Sequence, residues 1–370
     1  MKYYIIAGEA SGDLHGANLM KEIFKKDPEA NIRFWGGDLM SNVGGTIVSH
    51  YKERAFMGFI EVIMNLRKIF GFINFCKTDI DKFKPDVIIF IDNSGFNLRI
   101  AKWAKEKGYR TNYYIAPQVW ASRAGRVEAI KRDIDKMFVI LPFEKDFYKK
   151  YYYDVEFVGH PLIDGIAGRT QIDEQDFRDE FELGEKEIIA LLPGSRKQEI
   201  TKMLSTMLLM VEKFPNYQFV IAGAPSQTKE FYKDFLEGSK VKFIDNRTYD
   251  LLSISHAALV TSGTATLETA LFKVPQVVCY KGSWISYQIA KRIITLDYIS
   301  LVNLIMDEEV VTELIQNDFT EKKLEHELQM ILSVDKRNEM FEDYFDLENK
   351  LGGKGASEKT ARLIIENLKS

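Results

Sequence analysis

Short runs of apolar residues recur along this 370-residue chain, and longer stretches with helical periodicity separate them. Short apolar runs bounded by Gly, Pro or polar residues are typical of strands that are buried on both faces of a parallel sheet. The predicted strands are residues 3–7, 32–35, 86–92, 111–115 and 137–141, and then 188–192, 219–222, 241–244, 257–261 and 276–280. Strands alternating with helices predict βαβ units, so the fold class is α/β with two Rossmann-like, doubly wound domains.

The polar segment 164–178 has little apolar periodicity and is the best candidate for a linker between the two domains. Residues 358–368 alternate as an amphipathic helix, and the first helix is expected to begin at Leu14. Ligands of open α/β sheets bind beyond the carboxyl ends of the strands. With two such sheets, we expect the site in a central cleft between the domains.

Charge and cysteine content exclude several classes of protein. The 50 basic and 54 acidic residues give a net charge of −4, which argues against a protein that coats nucleic acid. The two cysteines form neither a disulfide framework nor a metal-ligand pattern, so we expect a reducing compartment. The histidines have no partners at metal-ligand spacing, so we expect no metal site, and we also expect no cofactor. No apolar stretch is long enough for a signal peptide or a membrane-spanning helix. The sequence therefore predicts a cytoplasmic protein and leaves attachment to a membrane surface open.

The first strand is followed by the loop Gly8-Glu9-Ala10-Ser11-Gly12-Asp13-Leu14-His15. Its glycines are not spaced as in the G-x-G-x-x-G signature of dinucleotide sites. A tight turn capped by Ser11 or Asp13 is one interpretation. Because Ser11, Asp13 and His15 share one strand-end loop, we favour a functional site, with Ser11 and His15 as candidate catalytic residues.

Asp92 ends a strand whose preceding residues are apolar. Partial burial raises the pKa of such a carboxylate and suits it to accept a proton. The alternative is an aspartate that caps the following helix. Asp92 is the candidate general base.

The loop after the next strand contains Trp120 and Arg123. Trp and Arg at a strand end can stack on a sugar or bind an anion, although ordinary packing is the alternative.

Residues 56–77 are unusually apolar and carry few acidic side chains. Such a segment can lie on an anionic membrane surface or line a slot for acyl chains, and a core-packed helix pair is the equally weighted alternative. Its candidate acceptor or acyl-chain residues are Met57, Phe59, Phe70 and Phe72.

Two loops in the second half of the chain have the composition of anion sites. Gly194, Ser195 and Arg196 combine a glycine turn, a hydroxyl and a guanidinium at a helix entrance, which suits a diphosphate.

The second of these loops places Ser262, Gly263 and Thr264 before a helix that carries Glu268 one turn later. Glu268 could accept hydrogen bonds from ribose hydroxyls, whereas a helix cap of the capping-box type is the alternative.

Several longer motifs occur in order along the chain: GEASGDLHGA from Gly8, MGFIEV from Met57, PQVWA from Pro117, LPFEKDFY from Leu141, FVGHPLID from Phe157, LLPGSR from Leu191, SGTATLE from Ser262, SLVNL from Ser300 and ELIQ from Glu313. Together these motifs resemble the lipid-A-disaccharide synthase family. The resemblance covers nearly the whole chain and implies the GT-B fold of inverting glycosyltransferases. It implies an acceptor and membrane-facing domain at 1–163, a donor domain at 164–344, and a C-terminal helix at 345–370 that packs back on the first domain.

The resemblance also implies substrates and residue roles. The donor would be UDP-2,3-diacylglucosamine, and the acceptor 2,3-diacylglucosamine 1-phosphate (lipid X). The products would be the β-1,6-linked lipid A disaccharide 1-phosphate and UDP. By the family pattern, Asp92 matches the essential aspartate, Ser11 the first-loop serine, Arg196 the donor-side arginine and Asn303 an asparagine of the late loop, which we add to the donor site. Ser94, Gly95, Ser122, Val302 and Thr312 depart from the pattern and affect the expected shape of the acceptor loop.

On this interpretation the partners are the two lipid substrates and the inner membrane surface, without nucleic acid. Asp92 would accept the proton of the acceptor 6-hydroxyl while Arg196 and the loop at 262–264 stabilise the departing UDP. One alternative is an enzyme resembling UDP-N-acetylglucosamine 2-epimerase, and another is a non-catalytic protein that binds UDP-sugars or lipids. The sequence leaves acyl-chain length and oligomeric state open.

Overall fold

The computed structural model describes residues 1–54, 66–121, 124–282 and 297–369. The chain divides into two compact units. The first unit comprises Met1–Asp164 together with Leu351–Ser370, and the second unit comprises Gly165–Lys350.

Each unit is built on one parallel sheet. In the first unit seven strands lie in the order β3-β2-β1-β4-β5-β6-β7. They are β1 (Lys2–Ala7), β2 (Asn31–Gly36), β3 (Thr46–His50), β4 (Val87–Ile91), β5 (Thr111–Tyr114), β6 (Lys136–Val139) and β7 (Glu156–Phe157).

The second unit has six parallel strands in the order β10-β9-β8-β11-β12-β13. They are β8 (Ile188–Leu192), β9 (Gln218–Gly223), β10 (Lys242–Asp245), β11 (Ser255–Thr261), β12 (Gln276–Tyr280) and β13 (Glu313–Ile315).

Helices connect the strands of both units. In chain order they are α1 (Ala10–Lys26), α2 (Asp38–Val43), α3 (Leu66–Phe83), α4 (Ser94–Glu106), α5 (Val127–Asp133), α6 (Pro142–Lys149), α7 (Pro161–Ala167), α8 (Glu174–Glu180), α9 (Lys197–Met207), α10 (Met210–Lys213), α11 (Lys229–Leu236), α12 (Thr248–Ser253), α13 (Thr264–Leu271), α14 (Leu301–Met306), α15 (Glu321–Ile331), α16 (Val334–Lys350) and α17 (Ala356–Lys369). Short 3₁₀ turns occupy Tyr51–Arg54, Val119–Ala121 and Ala124–Arg126.

The strands at the centre of each sheet are buried on both faces. In the first unit one face packs against helices that include α3 and α4, and the other packs against α1 and α17. On α17, Ile364 and Ile365 join the core cluster that contains Tyr3 and Ile5 of β1. The apolar stripe predicted at residues 358–368 is therefore the face with which the last helix completes the first unit.

The fold class predicted from the sequence is confirmed, and every predicted strand is present. The sequence did not indicate β3, β7 and β13, which lie at the sheet edges and are short or half exposed. The prediction that the first helix begins at Leu14 is wrong, because α1 begins at Ala10. The segment predicted as a linker, 164–178, contains the end of α7 and most of α8.

Candidate functional site

Each sheet has one point at which its strand order reverses. In the first unit the chain runs outward from β1 to β2 and β3 on one side, and from β4 to β5, β6 and β7 on the other. In the second unit the corresponding neighbours are β8 and β11. Ligands of doubly wound sheets bind at this switch point, beyond the carboxyl ends of the two strands. The loops that follow β1, β4, β8 and β11 are therefore the candidate site loops, and they hold most of the residues selected from the sequence.

The loops after β1 and β4 are in direct contact. A Cβ atom placed on Gly8 would lie 1.8 Å from Nδ2 of Asn93. Asn97, fully buried on α4, extends its amide nitrogen to the carbonyl oxygens of Ile6 (3.4 Å) and Asp92 (2.8 Å). Glycine at position 8 is thus required by close approach, and Asn97 joins the ends of the two strands.

Asp92 is the first residue after β4, and its backbone is left-handed, with a φ of +46°. Asn93 continues this conformation with a φ of +42°. Consecutive left-handed residues other than glycine store strain, which is commonly found at functional sites. Burial raises the pKa of the Asp92 carboxyl, although a backbone hydrogen bond from Asn93 opposes the shift. The carboxylate therefore has the character of a proton acceptor.

Glu9 was not selected from the sequence, but its carboxyl interacts electrostatically with Asp92. Partial burial raises the pKa of Glu9, and the negative charge of Asp92 raises it further. Two carboxyls that repel each other bind a proton more readily than either would alone. Only the pairing of β1 with β4 brings them together, so no local sequence signal could have indicated this pair.

The three polar residues predicted in the first loop have separate surroundings on α1. Ser11 is exposed in the first turn. The buried Asp13 carboxylate accepts backbone hydrogen bonds from Gly37 (2.7 Å), Leu39 (3.0 Å) and Met40 (3.1 Å). Asp13 therefore fixes the loop that leads from β2 into α2.

His15 faces inward from α1. Its Nδ1 atom is buried and has no hydrogen-bond partner among the described residues. Burial lowers the pKa of His15 to about 4, and burial together with the neighbouring His15 lowers the pKa of His160 to about 3. Both imidazoles are neutral at pH 7, so His15 can accept a hydrogen bond but brings no positive charge to the site.

Trp120 follows β5 in a loop that is also strained, since Ile115 has a φ of +66°. The Trp120 ring packs edge-on against Phe143, with centroids 4.9 Å apart. Glu144 is buried beside it and accepts backbone hydrogen bonds from Ile140 and Leu141. Burial raises the pKa of Glu144 to about 7, despite these hydrogen bonds and the neighbouring Trp120. Trp120 is therefore packed against the first turn of α6, which carries Phe143 and Glu144.

The residues predicted to contact acceptor or acyl chains divide into three groups. Met57, Phe59 and Arg123 lie outside the described residues. Phe70 on α3 is 56% exposed. Phe72 faces the other side of α3 and packs against Trp35, with ring centroids 6.5 Å apart. Phe72 therefore belongs to the core of the first unit, because residues two apart on a helix lie on nearly opposite faces.

In the second unit the loop after β8 contains Gly194, Ser195 and Arg196. Gly194 has a φ of +100°, a conformation that favours glycine. The Ser195 carbonyl accepts hydrogen bonds from Ser226 (2.8 Å) and Gln227 (3.2 Å), which fix the loop. The Arg196 side chain is 82% exposed at the start of α9. The loop therefore presents a guanidinium at a helix entrance.

The loop after β11 leads into α13 through Ser262 and Gly263, and Thr264 begins the helix. Thr264 and Gly263 are exposed, whereas the Ser262 hydroxyl donates to the carbonyl of Ile299 (3.0 Å). The helix entrance therefore offers backbone N–H groups, and the Ser262 side chain is engaged in the fold.

Glu268 lies one turn into α13, half-buried. Its Oε1 accepts a 2.8 Å hydrogen bond from the hydroxyl of Tyr249 on α12. Burial raises the pKa of Glu268, and the Tyr249 hydrogen bond opposes this shift. Tyr249, which the sequence analysis did not select, orients the Glu268 carboxyl.

Asn303 is fully buried on α14. Its amide nitrogen donates to the carbonyl of Val311 (2.8 Å) and to Glu313 (3.0 Å). Its oxygen accepts from the backbone N–H groups of Val310 and Val311, both at 2.9 Å. Because all of its amide positions are occupied, Asn303 fixes the segment before β13, and this occupancy argues against the direct donor contact expected from the sequence.

Within the described ranges, no three His, Cys, Asp or Glu side chains form a group that could bind a metal ion. Among the same residues, no helix combines the length and the apolar character needed to cross a membrane.

The chain is similar to known proteins over nearly its whole length. The family model described as lipid-A-disaccharide synthetase matches residues 3–365. The lipid-A-disaccharide synthase of Syntrophus aciditrophicus is 39% identical over 376 residues, covering 99% of this chain and 97% of the relative. The synthase of Geobacter metallireducens is 36% identical and covers 98% of this chain and 96% of the relative. The synthase of Coxiella burnetii strain CbuG_Q212 is 35% identical and covers 98% of this chain and 97% of the relative.

Solved structures are similar in fold at low sequence identity. The UDP-GlcNAc 2-epimerase of Neisseria meningitidis, bound to UDP-GlcNAc, has a TM-score of 0.71 at 15% identity and covers 100% of both chains. The glycotransferase of kitacinnamycin has a TM-score of 0.66 at 12% identity, with 99% and 98% covered. These similarities establish the GT-B fold.

Proposed function

Because the chain belongs to the lipid-A-disaccharide synthase family, it is a glycosyltransferase of lipid A biosynthesis, and we propose its substrates and the roles of its residues on that premise. The donor is UDP-2,3-diacylglucosamine, and the acceptor is 2,3-diacylglucosamine 1-phosphate. The first unit binds the acceptor, and the second unit binds the donor. The products are the β-1,6-linked disaccharide 1-phosphate and UDP.

The reaction is a direct displacement with inversion. The acceptor 6-oxygen forms a bond to the anomeric carbon of the donor as the bond from that carbon to the diphosphate oxygen breaks. Asp92 takes the proton of the 6-hydroxyl, a contribution of about 10²–10⁴-fold for a general base. The observation that carries this assignment is the half-buried Asp92 carboxyl at the switch point, with a raised pKa and a strained backbone.

The second unit stabilises the leaving UDP. Arg196 offers two parallel N–H donors to a phosphate, and the N–H groups at the start of α13 add a second anion-binding edge. Glu268, oriented by Tyr249, accepts from the ribose hydroxyls. Donors placed where negative charge develops lower the barrier by electrostatic stabilisation.

We also propose that the protein is cytoplasmic and associates peripherally with the inner membrane, where lipid substrates of this kind reside. Phe70 on α3 is 56% exposed, whereas Phe75, which is 50% exposed, also packs against Trp35 on the side that carries Phe72. Arg67 and Lys68 are exposed on the same helix. Aromatic side chains beside basic ones suit the surface of an anionic bilayer.

The decisive experiment supplies the purified full-length protein with both lipid substrates in mixed micelles and follows disaccharide 1-phosphate and UDP by mass spectrometry. We expect both products from wild type and almost none from Asp92→Asn. Asp146→Asn, an exposed carboxylate on α6, is the matched control. A parallel reaction with UDP-N-acetylglucosamine alone tests for epimerisation at C2. Epimer without disaccharide, or UDP binding without either product, would contradict the proposed reaction.

A further inference from the structure

The loop after β8 has a carboxylate of its own lying across it. Nη1 of Arg196 donates a 2.9 Å hydrogen bond to Oε1 of Glu199, which lies one turn later on α9. The other oxygen, Oε2, lies 3.2 Å from the position that a Cβ atom would take on Gly194. The Glu199 carboxylate therefore bridges the guanidinium and the glycine turn.

A contribution to the stability of the fold is a poor explanation for the ion pair between Arg196 and Glu199. Arg196 is 82% exposed and Glu199 is 29% exposed. Exposed ion pairs contribute little to the free energy of unfolding, because water and salt screen both charges. The loop is already fixed by the hydrogen bonds that the Ser195 carbonyl accepts from Ser226 and Gln227.

Carboxylates and phosphates are recognised by the same donors. A guanidinium binds either anion through parallel N–H groups, and a glycine turn lets an anion approach the backbone closely. Glu199 engages both of these elements in the same loop. Its carboxylate therefore occupies the position in which an anionic ligand of Arg196 would bind.

We propose that Glu199 is a competing counter-ion for the donor diphosphate, which must displace the carboxylate from Arg196 in order to bind. This inference rests on the proposed donor site. When UDP leaves, the carboxylate returns to the guanidinium, so Glu199 weakens donor binding and promotes product release. Glu199 is thus a residue that tunes affinity at the site without contacting the reacting atoms.

The test replaces Glu199 by glutamine, which keeps the size of the side chain and removes its charge. For Glu199→Gln we expect the dissociation constant for UDP to fall about two- to fivefold, the range set by the strength of exposed ion pairs. The inhibition constant for UDP and the KM for the donor should fall with it, without an increase in kcat. Calorimetric titration of the full chain with UDP at about 50 mM and about 500 mM NaCl should show the difference shrinking at high salt.

Two further variants isolate the effect. Glu212→Gln on α10 changes the net charge equally, at an exposed residue whose partner is Lys240 at 4.0 Å, and should leave UDP affinity unchanged. In an Arg196→Ala background, Glu199→Gln should give at most a small gain, because the competition acts through the guanidinium.

The possible outcomes are distinct. Unchanged or weaker UDP binding by a folded Glu199→Gln protein would overturn this inference and leave the donor site in place. Of these two results, weaker binding would show that Glu199 positions Arg196 for UDP. Failure of the wild type to bind UDP would overturn the proposed donor site and this inference together.

Discussion

Gly8 and Asn93 approach so closely that a methyl group on Gly8 would lie 1.8 Å from Nδ2 of Asn93 and 2.5 Å from its Cγ. These two residues belong to the loops after β1 and β4, and Asn93 follows Asp92 directly. The position of the candidate base is therefore coupled to the absence of a side chain at residue 8.

Gly8→Ala should displace Asn93 and with it Asp92. Overpacking of this kind destabilises a protein by about 1–3 kcal/mol, and we expect a larger loss in kcat than in UDP affinity. Urea unfolding and steady-state kinetics measure the two effects. Gly165→Ala on α7, where a methyl group would meet no atom within 4 Å, is the control. Normal activity of Gly8→Ala would show that the Asp92 loop tolerates the shift.

Asp92→Asn should lower kcat by about 10²–10⁴-fold and leave UDP affinity nearly unchanged. In the wild type, activity should rise with pH through a pKa above the usual aspartate value of about 4, because a general base must be ionised. Burial raises the folded-state pKa, so the stabilisation that the neutral carboxyl provides is lost as pH rises through that value. Asp92→Asn should therefore be at least as stable as wild type at pH 7. A near-normal rate would contradict the assignment of the base.

Arg196→Ala should raise the KM for the donor by about 10–100-fold, the range for losing hydrogen bonds to a charged group. Arg196→Lys should recover only part of the lost affinity for the donor, because an ammonium group lacks the planar, parallel N–H donors of a guanidinium. The thermal midpoint should not change, since the side chain is 82% exposed. Lys202→Ala, also exposed on α9, controls for the loss of charge. Equal KM values for Arg196→Ala and wild type would remove Arg196 from the donor site.

Asp79 on α3 should be a stability determinant of the first unit. It accepts hydrogen bonds from Arg33 (2.7 and 2.6 Å) and from Tyr4 (2.8 Å), whose hydroxyl accepts from Trp35. Burial raises the Asp79 pKa, but the hydrogen bonds from Arg33 and Tyr4 outweigh burial and lower it. Asp79→Asn should lower the free energy of unfolding by about 1–3 kcal/mol at pH 7.

Because the pKa of Asp79 is lowered in the folded state, its effect on stability depends on pH. The stabilisation by Asp79 is present above the unfolded-state pKa of about 4 and is lost as pH falls through the folded-state pKa. The difference between wild type and Asp79→Asn in urea unfolding should therefore shrink on acidification below pH about 4. Asp146→Asn should differ little from wild type throughout. A pH-independent difference would assign the effect to packing instead.

Phe70→Ser should weaken binding to anionic lipid vesicles by more than about tenfold, since burying a Phe side chain contributes about 1.5–3 kcal/mol. Flotation with vesicles of mixed neutral and anionic phospholipids measures this directly. The matched control is Phe345→Ser on α16, because Phe345 is 58% exposed and Phe70 is 56% exposed. An equal loss of vesicle binding in both variants would argue against a docking surface on α3.

The sequence by itself determined where the central strands lie and which loops hold the candidate site. Strands buried on both faces of a parallel sheet must be apolar throughout, so their positions appear directly in the residue pattern. Once the strands were located, the Gly, Ser and Arg residues that follow them could be assigned to the loops at the strand ends. The edge strands β3 and β7 were not, because they are shorter or more exposed and carry no such pattern.

Only the tertiary structure decided which polar side chains meet. It brought Glu9 within electrostatic range of Asp92 and formed the hydrogen bond from Tyr249 to Glu268. It also directed the Asp13 carboxylate to the loop that enters α2 and filled every hydrogen-bonding position of the Asn303 amide. The contacts of Asp92, Asp13 and Glu268 join separate elements of the chain, whereas those of Asn303 close a local loop before β13. Residue periodicity specifies that a strand forms and which face is buried, but it does not specify the neighbouring strand, so the surroundings of each carboxyl emerge only when the sheet is assembled.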